Sequence, residues 1–321
     1  MLIESCPGPA STVDPGGSGE SRPIRTAESA ARWVERHRAV VFPYHDPSAN
    51  DRRLLTIEDL VHDTLPSQVE QLVGNGTPRP AAGMYLTGWY VGVAASFLGL
   101  SLAASGAGYL LGRDSTLWWR HPAGYADALE IAEHTRAVVL YGHEWSGRAG
   151  VRTVATRSEQ AELVVAALVE TVTPMVDTLQ RLTRAGRIGL WHEVGDAIGG
   201  ALVHQDTVPS TPETVDLLRG LVAASAGPWK RQPRIELYAT DHGRVCVTHK
   251  GGCCMAFTVA STEIGGDGPD LDADHAAFQE AFPRAHGRPD YCATCKFRPF
   301  DESARMQVWW RERARLAKLT T

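Results

Sequence analysis

The 321-residue chain lacks the features that mark several common classes of protein. It has six cysteines, too few for a small secreted scaffold held together by disulfides. Its 32 basic and 37 acidic residues give a formal net charge of −5, so it lacks the basic excess of a dedicated nucleic-acid binder. Residues 1–25 contain neither a basic n-region nor an apolar h-region. We therefore expect no secretory signal and a cytoplasmic protein whose thiols stay reduced.

Residues 80–112 contain no Asp, Glu, Lys or Arg. A charge-free segment of this length can span a bilayer as a helix. The segment is rich in glycine and serine, however, and it holds few large apolar side chains. We therefore expect a buried core helix or helix pair, and no stable membrane insertion, with a true membrane span as the alternative.

The pattern along the chain predicts an α+β fold, mostly helical with small antiparallel β patches and a C-terminal cysteine-rich segment. We expect a flexible tail over residues 1–25, a body over 26–230 and an iron–sulfur-binding segment over 231–321. The expected helices cover 26–39, 56–74, a stretch from 158 that Pro174 kinks or divides, 190–203, a helix starting at Thr211, 273–281 and a final helix around Trp309. The expected strands cover 115–119, 137–141, 151–155, 234–240 and 244–250.

Five of the six cysteines lie between Cys246 and Cys295. Cys253 and Cys254 are adjacent, and thirty-seven residues separate them from Cys292-x-x-Cys295. Two close pairs together can complete a Cys₄ metal site. Adjacent side chains on a strand point to opposite faces, so Cys253 and Cys254 can converge only where the backbone turns. The glycines at 251 and 252 predict that turn, because glycine adopts positive φ without strain.

On local chemistry alone, four interpretations of the cysteines remain open. They are a Cys₄ iron–sulfur cluster, a zinc site, a redox disulfide, and unconnected cysteines. Zinc sites usually take ligands spaced by two to four residues, so an adjacent pair fits zinc less well than it fits a cluster with more than one iron. Cys246 stands between Val245 and Val247, and we expect it in the core.

An adjacent cysteine pair followed by C-x-x-C near the C-terminus resembles the FhuF-like ferric siderophore reductases. The Leu190-Trp191 helix, with small residues after it, is similar to a Leu-Trp-led helix of that family. The cysteine resemblance covers about the last seventy residues, and the gap of thirty-seven residues is longer than the family's. Each doubling of a loop costs only about 0.6 kcal/mol of closure entropy, so the longer gap is compatible with the same site.

The resemblance implies a [2Fe–2S] cluster held by Cys253, Cys254, Cys292 and Cys295. It implies an oxidoreductase that reduces a ferric siderophore by one electron and releases Fe(II) in the cytoplasm. No G-x-G-x-x-G follows a predicted strand, so we expect electrons from a ferredoxin-like protein and not from a nicotinamide. The alternatives are a pure electron carrier or redox sensor with the same cluster, and a zinc-stabilised binding module.

Residues close to the cysteines in sequence are the further candidates for the site. The predicted substrate-binding residues are Lys250, Lys296, Arg298 and Trp309, because a basic rim attracts an anionic ferric complex or an acidic donor. Solvated loop charges are the alternative interpretation. Backbone N–H groups at 251, 252, 255, 293 and 294 are the predicted donors to sulfur. His192 and Glu193 lack the HExxH spacing, so we expect a pair on a helix surface.

Overall fold

The computed structural model of the protein describes residues 53–121, 124–132, 135–203, 208–241, 243–255, 258, 277–278, 280–282 and 292–320. The predicted tail over 1–25 and the predicted helix over 26–39 lie outside the described residues. Of the helix predicted over 273–281, residues 277–278 and 280–281 are described, and they are helical.

Helices form most of the described chain, and the strands form small sheets, so the fold is α+β as the sequence predicts. The helices are α1 (Ile57–Asp59), α2 (Leu65–Gly74), α3 (Arg79–Leu86), α4 (Gly92–Ser105), α5 (Arg157–Thr183), α6 (Arg187–Gly199), α7 (Pro212–Val222) and α8 (Phe300–Thr320). Single π-helical turns, Leu60–Thr64 and Thr87–Val91, join α1 to α2 and α3 to α4. The strands are β1 (Arg53–Leu55), β2 (Gly108–Tyr109), β3 (Thr116–Arg120), β4 (Ala126–Ile131), β5 (Ala137–Leu140), β6 (Val151–Val154), β7 (Arg234–Thr240) and β8 (Gly243–His249).

Side-chain caps fix the two helix starts that the sequence predicts at Thr56 and Thr211. The Thr56 hydroxyl accepts the Asp59 N–H at 3.1 Å, and the Asp59 carboxylate accepts the Thr56 N–H at 2.9 Å. Thr211 and Thr214 exchange the same pair of bonds at the start of α7. Each reciprocal pair satisfies N–H groups that a helix start otherwise leaves unbonded.

The uncharged segment is the centre of the helical body. Within the part of the chain that the structure describes, Arg79–Ser105 is the one helix long and apolar enough to cross a membrane, and 78% of its most apolar window is buried. That burial is compatible with the core helix of a soluble protein. α4 packs closely on α6, because a Cβ at Gly99 would lie 3.0 Å from the Ile198 carbonyl. Small residues therefore serve helix packing here.

α5 runs undivided through Pro174, so division of the helix at this proline is wrong, while the alternative, a kink, stays a prediction. Proline removes the N–H that would bond to the carbonyl four residues earlier, here that of Glu170. The Arg113 guanidinium reaches the Glu170 carbonyl at 3.5 Å and replaces part of the lost bond. The helix is also anchored on both sides of the proline by fully buried residues such as Leu168 and Leu179.

The strands form three sheets within the described residues, ordered β1-β3-β4, β2-β5-β6 and β7-β8. The pairing is antiparallel except between β5 and β6, which are parallel. The predicted strands over 115–119, 137–141 and 151–155 are confirmed as β3, β5 and β6. The predicted strands over 234–240 and 244–250 are confirmed as β7 and β8, which pair as a hairpin with Arg234 opposite His249 and Thr240 opposite Gly243.

The buried core is continuous from Leu55 to Cys246 and includes α6, α7 and the first residues of β7. Cys246 is 1% exposed, as expected for a core position. This core crosses the predicted boundary between residues 230 and 231. It sets α6 directly beneath the end of β8, and that placement builds the site.

Candidate metal centre

The two cysteine pairs lie at neighbouring ends of β8 and α8. Cys253 and Cys254 follow β8, and Cys292 and Cys295 precede α8. Gln307 of α8 joins the elements, because its side-chain amide accepts the Thr248 N–H at 2.9 Å and donates to the Thr248 carbonyl at 2.7 Å. Its amide thus pairs with β8 as a neighbouring strand would.

The C-x-x-C loop is a turn that hydrogen bonds hold in place. The Cys295 N–H donates to the Cys292 carbonyl at 3.0 Å, and the Arg298 guanidinium donates to the same carbonyl at 3.1 Å. The Lys250 N–H donates to the Thr294 carbonyl at 2.9 Å and so links this loop to the end of β8. The structure therefore brings together cysteines that are far apart in sequence.

Three of the sulfur atoms are in direct contact range. The Cys254 and Cys292 sulfurs are 3.6 Å apart, and the Cys292 and Cys295 thiols hydrogen-bond to each other. Cys253 lies near enough to act on the charge of Cys295. These cysteines are free thiols. Among the described residues, no group of three or more His, Cys, Asp or Glu side chains converges in a way that could hold a single metal ion.

The crowded thiols oppose one another's ionisation. The hydrogen bond to Cys292 and burial raise the pKa of Cys254 well above its usual range, although Lys250 opposes the rise. The pKa of Cys292 is also raised, because its bond to Cys295 and its burial outweigh the lowering bond to Cys254. The bond to Cys292 lowers the pKa of Cys295 to about 7. Cys295 is therefore the most acidic of these three thiols.

The backbone turns at the adjacent cysteines, but the two glycines serve a different purpose from the one predicted. Neither has a positive φ, and the left-handed residue is Met255, at φ 57°. A Cβ at Gly251 would lie 2.9 Å from the Arg231 carbonyl, and one at Gly252 would lie 2.6 Å from the His192 Cβ. The glycines therefore allow the chain to approach its neighbours closely.

The prediction that His192 and Glu193 form a surface pair is wrong. They are 9% and 4% exposed, and Asp196, one turn further along α6, is 3% exposed. These residues lie beneath the cysteine turn and were missed as functional candidates. The signal for them was charged residues inside a helix otherwise made of apolar and small residues, where a buried charge needs a partner.

The partners of these buried groups are at the end of β8. The Lys250 ammonium donates to the Glu193 carboxylate at 2.6 Å. The two Asp196 oxygens accept the N–H groups of Gly251 at 2.8 Å and Gly252 at 3.0 Å. Burial raises the pKa of Asp196 to about 7, against the opposing pull of Lys250. Burial lowers the pKa of Lys250, but Glu193 and then the Cys254 and Cys292 thiolates outweigh it, so the net shift is upward.

The predicted substrate-binding residues occupy different positions around the site. The Lys250 side chain is only 20% exposed and is ion-paired. Arg298 is 14% exposed and is bonded to Glu302 and to the Cys292 carbonyl. Lys296 lies over the ring of the exposed Phe297, 5.2 Å from its centroid, and Trp309 is half-buried against Phe278. Lys250 and Arg298 thus hold the site together, and substrate binding by these residues stays a prediction.

Two of the five predicted N–H donors to sulfur bond to a carboxylate. The N–H groups of Gly251 and Gly252 donate to Asp196 and not to a thiolate. A residue that was not predicted, Phe297, donates its N–H to the Cys295 sulfur and so lowers the pKa of that thiol. A backbone N–H directed at sulfur stabilises negative charge there, whether on a thiolate or on a bound cluster.

Thiolates are the ligands that iron–sulfur clusters take, and one distance between the thiols can be compared with the spacing of two ligands on one metal. Two thiolates about 2.3 Å from one tetrahedral metal lie about 3.8 Å apart. The 3.6 Å between the Cys254 and Cys292 sulfurs is close to that distance. Cys253 and Cys295 would supply the remaining donors of a Cys₄ set.

Comparison with known proteins adds no assignment. No protein-family model matches the chain, and no curated protein matches it. The resemblance to the FhuF-like reductases therefore rests on the cysteine spacing and the α6 sequence.

Proposed function

We propose that the protein is a cytoplasmic ferric siderophore reductase with a [2Fe–2S] cluster on Cys253, Cys254, Cys292 and Cys295. The observation that carries the proposal is the meeting of the two cysteine pairs across thirty-seven residues of sequence, with the Cys254 and Cys292 sulfurs 3.6 Å apart. A binuclear cluster accepts thiolates as two pairs, whereas one zinc ion requires all four around a single point.

For this reaction the protein needs to supply only an electron and a docking surface. A siderophore binds Fe³⁺ through hard oxygen donors, and the softer Fe²⁺ binds those oxygens more weakly. One electron from a ferredoxin-like donor converts Fe³⁺ to Fe²⁺, and no bond within the siderophore is broken. When bound, a [2Fe–2S] cluster would supply temporary storage for that electron.

The chain contributes the electrostatics of the site. Three of the four cysteines are partly exposed and Cys295 is 4% exposed, so electrons have a short path to the surface. The buried Lys250 ammonium opposes the negative charge of the thiolates. The exposed Phe297 and its neighbour Lys296 form the adjacent surface, which suits an amphipathic, anionic chelate.

A thiol–disulfide function is the second candidate, and the same sulfur contact favours it. Oxidation of Cys254 and Cys292 would form one S–S bond and release two protons and two electrons to a disulfide or quinone acceptor. The low pKa of Cys295, about 7, would give a thiolate able to resolve that bond.

Iron, sulfide and zinc content of anaerobically purified protein tests the proposal. We expect two irons and two sulfides per chain, about equal amounts of each. The reduced protein should give a rhombic paramagnetic resonance signal, and with a reducing donor it should release Fe(II) from a ferric hydroxamate. One tightly bound zinc without sulfide would overturn the proposal. A metal-free chain with a reversible disulfide between Cys254 and Cys292 would establish the second candidate.

Substitution of single cysteines refines this experiment. Cys254→Ala and Cys292→Ala should each remove most of the bound iron and sulfide. Cys246→Ala is the matched control, because Cys246 is a free, buried thiol on β8 that faces the core. It should keep the metal content of the wild type.

A further inference from the structure

A buried carboxylate lies directly beneath the turn that carries the adjacent cysteines. Asp196 is 3% exposed, and both of its oxygens are used by backbone N–H groups of that turn. The donors are the consecutive residues Gly251 and Gly252, immediately before Cys253. A buried carboxylate usually pairs with a side-chain cation, but both oxygens of Asp196 accept hydrogen bonds from backbone N–H groups.

The two bonds fix the direction of two successive peptide groups. A carboxylate offers two coplanar acceptors, so each N–H has its own oxygen at 2.8 and 3.0 Å. An asparagine amide offers one acceptor, and its NH₂ group would face the second N–H without a bond. The clamp therefore depends on the carboxylate and not only on side-chain size.

Close packing makes the clamp rigid. A Cβ at Gly252 would lie 2.6 Å from the His192 Cβ and 3.0 Å from an Asp196 oxygen, so this residue lies flat on α6. A Cβ at Gly251 would lie 2.9 Å from the carbonyls of Arg231 and Gln232 on the other side. The backbone that leads into Cys253 is therefore held between α6 and the segment before β7.

A neighbouring ion pair ties the same turn to α6. The Lys250 ammonium reaches Glu193 at 2.6 Å, one turn before Asp196 on the same helix. The Lys250 N–H reaches the Thr294 carbonyl of the C-x-x-C loop at 2.9 Å. The helix thus sets the position of one cysteine pair and, through Lys250, its distance from the other.

We propose that Asp196 is a positioning residue of the cysteine centre, which fixes Cys253 and Cys254 by clamping the N–H groups of Gly251 and Gly252. The clamp also directs those N–H dipoles away from sulfur, so it holds the reduction potential of the centre down. The proposal rests on the proposed function in that it takes the four cysteines as the ligands of a metal centre.

The test uses the full chain reconstituted with iron and sulfide, with release of iron to a chelator and the reduction potential as readouts. Asp196→Asn should release iron about tenfold faster, as expected for the loss of one charge-assisted hydrogen bond. Measured above pH 7, where Asp196 is ionised, its potential should shift to more positive values, because a negative charge is lost and an N–H is freed. Asp196→Glu retains two acceptor oxygens and the charge, so its potential should stay closer to that of the wild type.

The matched control is Gln160→Ala. Gln160 is 1% exposed and its amide donates to the carbonyls of Gly106 and Val138 in the body, so its loss removes buried hydrogen bonds without contacting the turn. It should lower thermal stability and leave the potential and the iron-release rate unchanged. Gly252→Ala provides a second variant if Asp196→Asn does not fold, because its Cβ would push the turn off α6 while the carboxylate stays.

A Co²⁺-binding experiment distinguishes failure of this inference from failure of the proposed function. The reductase proposal fails if the wild type binds Co²⁺, with thiolate charge-transfer absorption, but does not bind iron and sulfide. In that case the clamp predicts that Asp196→Asn binds Co²⁺ more weakly than the wild type does. The clamp is overturned if both Asp196→Asn and Gly252→Ala release iron at the wild-type rate, bind Co²⁺ with wild-type affinity and have the wild-type reduction potential. A wild-type chain that binds neither probe would overturn both proposals.

Discussion

At the scale of single residues, the ion pair of Lys250 and Glu193 carries a large cost of lost hydration. Glu193 is 4% exposed and the Lys250 side chain is 20% exposed, so both charges have lost most of their water. Neither alone would be stable there, because an unpaired buried charge costs several kcal/mol. The pair persists because its members face each other at 2.6 Å beside the thiols.

Removing one member of the pair should therefore lower the free energy of unfolding more than removing both. We expect Lys250→Met to lower the free energy of unfolding by about 3 kcal/mol at pH 7, since Glu193 is left without its cation. The double variant Glu193→Gln/Lys250→Met should recover at least about 1 kcal/mol of that loss. Urea unfolding of the metal-free protein measures both values.

Lys230→Met is the control for the loss of a lysine charge as such. Lys230 is exposed, and a substitution there should change stability by no more than about 0.5 kcal/mol. A double variant less stable than Lys250→Met would contradict the predicted recovery.

The sequence indicates the thiols but not the groups that hold them. Two close cysteine pairs are a local pattern, and Cys254 and Cys292 do meet. Glu193 and Asp196 are ordinary helix residues by type, and only the packing of α6 under β8 makes them buried. Their role depends on contacts across more than fifty residues, which a local pattern does not contain.

At the scale of elements, one carboxylate joins α5 to the end of α7. Glu162 on α5 accepts the N–H groups of Ser225 and Ala226 at 2.6 and 2.9 Å, and its other partner is the Ser225 hydroxyl. The bond from the Ser225 N–H is the largest cause of the lowered pKa of Glu162. The ionised form therefore stabilises the packing of these helices.

The sign of the resulting pH dependence follows from that lowered pKa. The stabilisation is complete above the ordinary glutamate pKa of about 4.3 and disappears as the pH falls through the lower folded-state value. Glu162→Gln should cost about 0.5–1 kcal/mol at pH 7, a small value because the carboxylate is largely exposed. The difference from wild type in urea unfolding should shrink below about pH 4. A constant difference across this range would contradict the assignment.

Pro174 gives a second prediction at this scale. Pro174→Ala restores the N–H that can bond to the Glu170 carbonyl inside α5. We expect the variant to be more stable by about 1 kcal/mol, less than the full helix-interior cost of proline, because Arg113 already bonds to that carbonyl. Thermal unfolding of Pro174→Ala and Arg113→Ala measures the two contributions. A lower melting temperature for Pro174→Ala would show that the ring is needed for packing.

Element prediction from the sequence succeeds where a local signal is strong. Thr56, Thr211 and the hairpin loop between β7 and β8 mark element ends by their own side chains or turns. β1, β2 and β4 were not predicted. β1 and β2 have three and two residues and are defined by pairing with β3 and β5 and not by their own pattern. The helix is not divided at Pro174, and the sequence around the proline does not indicate this, because Arg113, which bonds to the Glu170 carbonyl, is far away in sequence.

At the scale of the whole molecule, the cysteine centre is held by contacts that bypass the thirty-seven residues between its halves. Gln307 bonds to both backbone groups of Thr248, and the Lys250 N–H bonds to the Thr294 carbonyl. The His249 ring also contacts the Arg298 carbonyl at 3.1 Å. These bonds join β8 directly to the C-x-x-C loop and α8.

Covalent continuity between the halves should therefore be dispensable once the protein has folded. We expect a chain with a site-specific protease sequence inserted between Gly265 and Gly266 to stay associated after cleavage. Gel filtration of the cut protein should give one peak with both fragments, and bound iron and sulfide should be retained. Substitution of Gln307 by Ala in the cut chain should promote separation, because the amide contacts with Thr248 are lost.

The contact of β8 with α8 also makes this centre open to split-protein assembly. Two separately produced polypeptides, one ending after the adjacent cysteines and the other beginning before the C-x-x-C loop, would each supply half of the thiols. Reconstitution of metal binding on mixing would then report their association, much as complementing enzyme fragments report an interaction between fused partners.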